Sequence, residues 1–502
     1  MVVEIEKFYI TTAIPYVNAA PHIGFALELI QTDVIARFKR LVGNDVFFLT
    51  GTDENAQKNA LTAEKLGIKV KELVDKNAKL FIELTKTLAI SNDDFIRTTE
   101  EKHKKASEKI WMKCFEKGDI YKKTYTGLYC VGCEAFVTEK DLADGKCPEH
   151  LKEPEKVSEE NYFFRLSKYQ KELENIIKND EIKIIPETRK NEILNFIKEG
   201  LSDFSISRPA ERVKHWGIPV PNDKNQIIYV WFDALINYIS AIDYENGEKK
   251  FKKYWPADLH VIGKGITRFH AIYWPAMLLS AELPLPKAIF VHGYVTVNGQ
   301  KISKSLGNVV DPNDVVKKFG VDQLRYFIIR DIPVFDDGDF NEKALIERVN
   351  NELVSKYSNL FYRITSFIKS NFNGKVPEGS NDKKLKLVFE KSVDRYLELM
   401  NDYKLNEALM VVLNLTDELN KYFQENKPWE VIKTDRKKCN DIVYTSVNML
   451  KVLSILFYPF IPNSSQIAMK CLGLNLEWKN IEIDLNAGRN IDAVMLFKKI
   501  NE

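Results

Sequence analysis

The run Phe8-Tyr-Ile-Thr-Thr-Ala-Ile-Pro-Tyr-Val-Asn-Ala-Ala-Pro-His-Ile-Gly24 decides how the rest of this chain is read. Residues 8–14 are apolar and β-branched, the pattern of a buried strand. Pro15, Pro21 and Gly24 then break the run. Beyond it Leu27, Ile30, Val34, Phe38 and Leu41 recur at three- and four-residue steps, which predicts a helix ending at Gly43. Residues 45–50 predict a second buried strand. Strand, loop, helix and strand in that order make a βαβ unit, and such units build parallel sheets that take ligands outside the carboxyl ends of their strands. The first loop is where a ligand is expected. His22 and Gly24 stand where that loop meets the helix N-terminus, whose free N–H groups and dipole favour an anion such as phosphate. Gly24 admits a ligand close to the backbone, and His22 offers a hydrogen-bond donor.

Outward from this unit, residues 117–225 read as an insertion in which Gly, Cys and Lys become frequent and short Tyr- and Phe-rich segments replace the helical repeat. Residues 226–230, 258–262 and 288–291 predict the parallel sheet resuming, with helices at 231–241 and 269–281. After residue 342 strand signals nearly vanish, and helical patterns at 345–368, 384–400, 406–423 and 441–457 predict a bundle. The division is therefore 1–116 and 226–290 for the two halves of the sheet domain, 117–225 for the insertion, 291–341 for a lysine loop and a stem-contact region, and 342–502 for the helices.

Length and composition narrow the class. The chain has 502 residues, 45% hydrophobic and 29% charged, with 22 Gly and 18 Pro, which excludes disordered and collagenous chains and allows several folded domains. A net charge of +2, from 73 basic and 71 acidic residues, excludes a wholly basic coating protein and leaves local patches open. Glu4 and Glu6 give the N-terminus neither signal-peptide nor leader character, so a cytoplasmic location is expected. The longest apolar run, 452–461, is interrupted by Pro459 and too short to span a bilayer, so no membrane partner is expected.

Two further motifs carry chemistry. Cys130-x2-Cys133, thirteen residues and Cys147-x2-His150 form a four-ligand zinc spacing with Gly132 and Gly145 at turns. Four protein ligands leave no open position, so one structural Zn2+ is expected. Lys301-Ile-Ser-Lys304-Ser, bracketed by Gly299 and Gly307, places two lysines and two hydroxyls on a loop able to close on a polyphosphate.

Together, the His22-Ile-Gly loop and the Lys301-Ile-Ser-Lys-Ser loop resemble the two signatures of class I aminoacyl-tRNA synthetases. The resemblance narrows to the methionyl-tRNA synthetase family on Thr12-Ala-Ile-Pro-Tyr-Val-Asn, Phe48-Leu-Thr-Gly-Thr-Asp-Glu, Tyr229-Val-Trp-Phe-Asp-Ala, Phe269-His-Ala-Ile-Tyr-Trp-Pro-Ala-Met, Val291-His-Gly-Tyr-Val-Thr-Val-Asn-Gly and Asn426-Lys-Pro-Trp. It covers the chain from 8 to 472. It implies a Rossmann-like doubly wound parallel sheet with a zinc-containing connective insertion, followed by an all-α helix-bundle anticodon-binding domain. The implied reaction joins methionine to tRNA(Met) at the expense of ATP, with Mg2+ accompanying the ATP. The resemblance also implies a monomer, since no dimer-forming domain follows the bundle.

By the same resemblance His22, Lys301 and Lys304 are the catalytic residues, and Gly24, Gly263, Gly293 and Lys304 contact ATP. Methionine is a polarizable thioether with weak acceptor ability, so its site needs aromatic walls and one placed donor. The family positions are Ile14, Tyr16, Trp231, Ala234, Leu235, Tyr238, Ile266, His270 and Trp274, with Tyr238 near sulfur and Asp53 on the ammonium. Arg208 is a further candidate for steadying the substrate. Asn359 and Arg363, four apart on one helix face, and Trp429 after Pro428 match positions that read a CAU anticodon by base-edge contacts and stacking. Ser355 stands where the family often has Asn.

Three departures surround the nucleotide. Phe25 replaces the second His of the first signature, Asn55 replaces a usual His, and Gly265 stands where the family has an Asp contacting the ATP ribose. An active enzyme with a locally altered ATP site is the expectation, and a non-catalytic tRNA-binding paralogue is the rival. Isoleucyl, valyl and leucyl enzymes need an editing insertion that 502 residues cannot hold, and cysteinyl enzymes place their zinc in the active site.

Overall fold

The computed structural model describes residues 6–130, 135–137, 139, 142–148, 151–247, 249–302 and 307–501. At its centre lies a six-stranded parallel sheet in the order Asp94–Arg97, Asp45–Thr52, Lys7–Thr12, Leu259–Gly263, Ala288–His292, Lys183–Ile185. The two middle strands are buried along nearly their whole length, as their unbroken apolar and Thr-rich sequences require. The helix Ile23–Leu41 follows the first strand and covers one face, where Leu27, Ile30 and Val34 pack with Val261 and Phe290. On the opposite face Tyr9 and Ile262 join Trp111, Phe232, Tyr238 and Trp274 in a second core. Successive residues of one strand thus serve different layers.

From Lys7–Thr12 the chain builds strands in one direction, and from Leu259–Gly263 it builds them in the other. The crevice between the carboxyl ends of these two strands is the topological switch point, bordered by residues 13–22 and 264–268.

The insertion is a long antiparallel pair, Ile120–Cys130 with Glu155–Phe164, extended by Ala135–Val137 and Phe204–Ser205. Two features differ from the sequence-based expectation. Lys183–Ile185, inside the stretch read as insertion, returns to edge the main sheet beside Ala288–His292. Asp223–Ile228, expected to resume the parallel sheet, instead pairs antiparallel with Pro219–Val220 and Ser207–Pro209. A short apolar strand carries no mark of the partner it will take, because pairing is settled by what the fold brings alongside.

The C-terminal third is helical, comprising Glu342–Arg348 continuing through the wide turns of Val349–Ser358 into Asn359–Asn371, then Lys383–Asn401, Leu405–Asn426, Arg436–Leu456 and Pro462–Cys471. Asn341, Asp382 and Asp435 cap three of the starts by accepting from Ala344, Leu385 and Lys438 N–H groups. Arg325, fully buried, joins this layer to the sheet domain. Its guanidinium meets Asp33 of the first helix at 2.7 Å and donates to the carbonyls of Leu88, Pro459 and Phe460. Among the described residues, no helix is long and apolar enough to cross a membrane.

Candidate active site

The first loop is held against the sheet before any ligand arrives. Asp53 N donates to Pro15 O at 2.8 Å and Asn77 Nδ2 to Val17 O at 2.5 Å, so residues 15–17 lie beside the end of the second strand. Ala13 N donates to Glu28 Oε1 at 2.8 Å. His22 caps the first helix, its Nδ1 accepting from Gly24 N at 3.1 Å. With Nδ1 an acceptor, the neutral ring carries its proton on Nε2. A β-carbon on Gly24 would come within 2.9 Å of the His22 ring, so glycine is required for this cap. Ile23 N donates to Val310 O at 3.0 Å, which ties the chain just beyond the lysine loop to the first turn of the helix. The two signature segments are therefore neighbours.

The lysine loop is entered through a hairpin. Val295–Val297 pairs with Gln300–Lys301 around Asn298 and Gly299, both at positive φ. Asn-Gly is the strongest short-range hairpin signal, and it was legible in the sequence although the segment reads there only as a glycine-hinged loop. Asp339 anchors the turn by accepting from Gly299 N at 2.7 Å and Thr296 Oγ1 at 2.8 Å. The Lys301 backbone belongs to this hairpin, while its side chain and Lys304 lie outside the described residues.

Each departure from the family pattern has a structural partner. Phe25 lies 4.6 Å from the His22 ring and 5.4 Å from Phe81, so its ring buttresses the capping histidine. Asn55 donates to Asp233 Oδ2 at 2.8 Å and to Thr98 O at 3.2 Å. At Gly265 a β-carbon would overlap the Tyr294 hydroxyl, so the phenol fills the space of the missing side chain.

The residues named for a methionine pocket converge on the opposite side of the cleft. Trp231 stacks on Phe269 with centroids 3.7 Å apart and meets Tyr16 edge-on at 6.4 Å. Tyr238 lies 6.1 Å from Trp274, and Ala234, Leu235, His270 and Trp274 are buried around it. Ile14 and Ile266 are half-buried and pack against the same core. Tyr238 Oη lies 2.7 Å from His270 Nε2, and His270 Nδ1 lies 2.9 Å from Ile266 O. A carbonyl only accepts, so Nδ1 carries the ring proton and Nε2 accepts from the Tyr238 hydroxyl. Burial pushes the His270 pKa down to about 4, which keeps the ring neutral. Asp53 is 2% exposed at the pocket's edge, its Oδ1 accepting from Asn55 N at 3.2 Å. Arg208 is buried on the strand Ser207–Pro209, bonded to Ser205 Oγ and Ser207 O with its guanidinium over Tyr229.

Two residues that sequence reasoning passed over organise this cleft. Glu54, fully buried beside Asp53, is gripped by Arg97 through both oxygens at 2.6 and 3.0 Å. His292 places Nε2 2.8 Å from Glu28 Oε2 and Nδ1 2.7 Å from Gly293 O, linking the fifth strand's end to the first helix. An acidic residue in an otherwise apolar helical stretch was the one available hint for Glu28. Gly263 and Gly293 lie at the same strand ends, and a β-carbon on Gly293 would overlap the Asp336 backbone.

Elsewhere, Cys130 and Cys147 are buried at 3% and 2% exposure, with Gly145 in the left-handed region between them. Cys133 and His150 lie outside the described residues. In the bundle, Asn359 and Arg363 are exposed, and Arg363 lies over the Trp429 ring at 5.9 Å while donating to Gln424 at 2.9 Å. Ser355, exposed, donates back along its own helical segment to Asn350 O at 2.7 Å.

Family models match nearly the whole chain. Residues 8–159 and 149–365 match the family model for tRNA synthetases class I (M), and residues 374–502 match that for the anticodon binding domain of methionyl tRNA ligase. The chain belongs to the methionyl-tRNA synthetase family. Methionine–tRNA ligase of Thermotoga maritima is 47% identical over 469 residues, covering 92% of this chain and 74% of that protein. Its counterpart in Rickettsia conorii is 45% identical over 513 residues, covering 98% and 99%. Among solved structures, methionyl-tRNA synthetase of Mycobacterium tuberculosis in complex with methionyl-adenylate superposes with a TM-score of 0.94 at 37% identity, covering 98% of this chain and all of that one. The free form of the same enzyme gives 0.88 at 34% identity, covering all of both chains.

Proposed function

We propose that this chain is a methionine–tRNA ligase. It condenses L-methionine with ATP, taken as its magnesium complex, and passes the methionyl group to tRNA(Met) bearing a CAU anticodon. The observation that carries the reading is the convergence of a His22-capped helix, buried Asp53 and the Tyr16, Trp231, Tyr238, His270 and Trp274 box at one switch point, in a chain that superposes on an adenylate-bound relative over 98% of its length.

In the first step the methionine carboxylate attacks the α-phosphorus and the bond to pyrophosphate breaks. His22, Lys301 and Lys304 stabilise the charge that gathers on the phosphates, and Gly24, Gly263 and Gly293 contact ATP through their backbone. Asp53 takes the substrate ammonium, while Ile14, Ala234, Leu235 and Ile266 complete the walls around the thioether. In the second step a terminal ribose hydroxyl of the tRNA attacks the methionyl carbonyl and AMP leaves. No protein nucleophile is required. Asn359, Arg363 and Trp429 read the anticodon; the cation over the indole face and the two exposed polar side chains support that role.

Cys130, Cys133, Cys147 and His150 hold one structural Zn2+. Two buried thiols flanking a tight turn in a small peripheral sheet suit a closed site that contributes folding energy. The enzyme acts as a cytoplasmic monomer, for which a solution mass near 58.1 kDa is expected.

Methionine-dependent exchange of pyrophosphate into ATP tests the reading directly. Zinc-loaded protein is expected to exchange with methionine alone among the amino acids and then to charge tRNA with a CAU anticodon. Tight tRNA binding without exchange would establish the non-catalytic paralogue instead.

A further inference from the structure

Gly263, Gly265 and Gly293 lie at or just beyond the carboxyl ends of Leu259–Gly263 and Ala288–His292. At Gly293 neighbouring backbone enforces the glycine. At Gly265 the obstacle is a side chain, because a β-carbon there would overlap the Tyr294 hydroxyl, and one on Gly263 would touch the Tyr294 ring at 3.7 Å. The Tyr294 ring therefore lies along the 263–265 turn. Asp337 holds it there by accepting from Tyr294 N and from Lys264 Nζ, each at 2.8 Å, and the Lys264 ammonium sits 4.9 Å from the ring centroid. Tyr294 is still 37% exposed, so the phenol borders the cleft.

A nucleotide in this crevice presents two vicinal ribose hydroxyls, which folds of this type meet with a polar side chain at a strand's end. The nearby carboxylates already have partners. Glu28 accepts from Ala13 N and His292 Nε2, Asp337 from Lys264 and Tyr294 N, and Asp53 from Asn55 N. A phenol both donates and accepts, which suits a sugar hydroxyl. We propose that the Tyr294 hydroxyl contacts the ribose hydroxyls of the nucleotide, at the point where Gly265 offers no side chain. The proposal rests on the ligase reading of the cleft and adds a specificity residue to it.

The test is methionine-dependent pyrophosphate exchange with ATP, 2′-deoxyATP and 3′-deoxyATP, on the wild type, Tyr294→Phe and Gly265→Asp/Tyr294→Phe. Loss of one neutral hydrogen bond corresponds to roughly a tenfold change. Wild type is expected to prefer ATP over one deoxy analogue by about that factor in kcat/KM. Tyr294→Phe is expected to erase the preference through KM for ATP, and the double variant to restore it with a carboxylate. Calorimetric binding of adenosine to Tyr294→Phe reads the same loss without turnover. If wild type exchanges normally and Tyr294→Phe keeps the full preference and adenosine affinity, the proposal is overturned alone. Wild type that exchanges no pyrophosphate with methionine overturns the ligase reading and the proposal together.

Discussion

On the side of the cleft proposed for the amino acid, Tyr238, His270 and Trp274 are at most 2% exposed, and the hydroxyl, imidazole and carbonyl chain from Tyr238 to Ile266 fixes which atom carries each proton. On the side proposed for the nucleotide Gly265 and Tyr294 are exposed, and His22 is only half-buried. Two of the sequence departures, Phe25 and Gly265, fall on this second side, and the third, Asn55, is buried against Asp233. A small apolar side chain is distinguished by shape and by the penalty for unpaired buried groups, so its pocket must be dense and predetermined. A nucleotide is held by charge and backbone N–H groups, whose contribution survives exchange of a neighbouring ring or carboxylate when another group fills the space.

That contrast can be broken most sharply at Trp274. Trp274→Ala is expected to cost about 3–5 kcal/mol of stability in urea unfolding, as for a large ring removed from a tight core. A comparable loss in Tyr294→Ala would erase the distinction between the two sides. His22→Ala is expected to lower the exchange rate by about 100- to 1000-fold, the usual consequence of removing a transition-state donor. Methionine KM should stay within about threefold, and a parallel rise would show that the two halves are mechanically coupled.

Acidity acts on the buried side. Unfolded, the His270 imidazole takes a proton near pH 6.5, whereas burial holds it off until about 4. Between those values the unfolded chain binds more protons, so stability is present at neutral pH and falls as pH drops below about 6.5. For His270 the loss at pH 5 is about 2 kcal/mol, and comparing urea midpoints of wild type and His270→Phe at pH 7 and 5 isolates it. The smallest effect is expected at Phe25. Phe25→His gives up aromatic contacts with His22 and Phe81 worth about 1 kcal/mol, and should change the exchange rate by less than about tenfold. A larger gain would mean that the second histidine had been missing chemically, and not merely replaced.

Periodicity made much of the architecture legible. The first βαβ unit and the long C-terminal helices follow from apolar spacing that each segment carries within itself, and His22 could be placed at a helix N-terminus because Pro21 and Gly24 flank it. The short strands were harder. Lys183–Ile185 and Asp223–Ile228 are both brief and both end in Ile-Ile, yet one edges the central sheet and the other is the middle strand of an antiparallel one, and only distant neighbours distinguish them. Nothing in the sequence singles out Arg325, and only the fold surrounds it with Asp33 and the carbonyls of Pro459 and Phe460.

What the sequence determined by itself was the set of local conformations and the chemical inventory: a glycine-bounded loop at a helix start, aromatic residues enough for a pocket, a cysteine and histidine spacing suited to zinc. Each depends on residues within a few positions of one another, where propensity, capping and spacing act directly. Only the tertiary structure decided how those parts serve one another. It set Phe25 against His22, turned Asn55 onto Asp233, and laid the Tyr294 hydroxyl over Gly265. These contacts join residues between three and 178 positions apart, and their geometry is fixed by the packing of sheet, helix and insertion into one core.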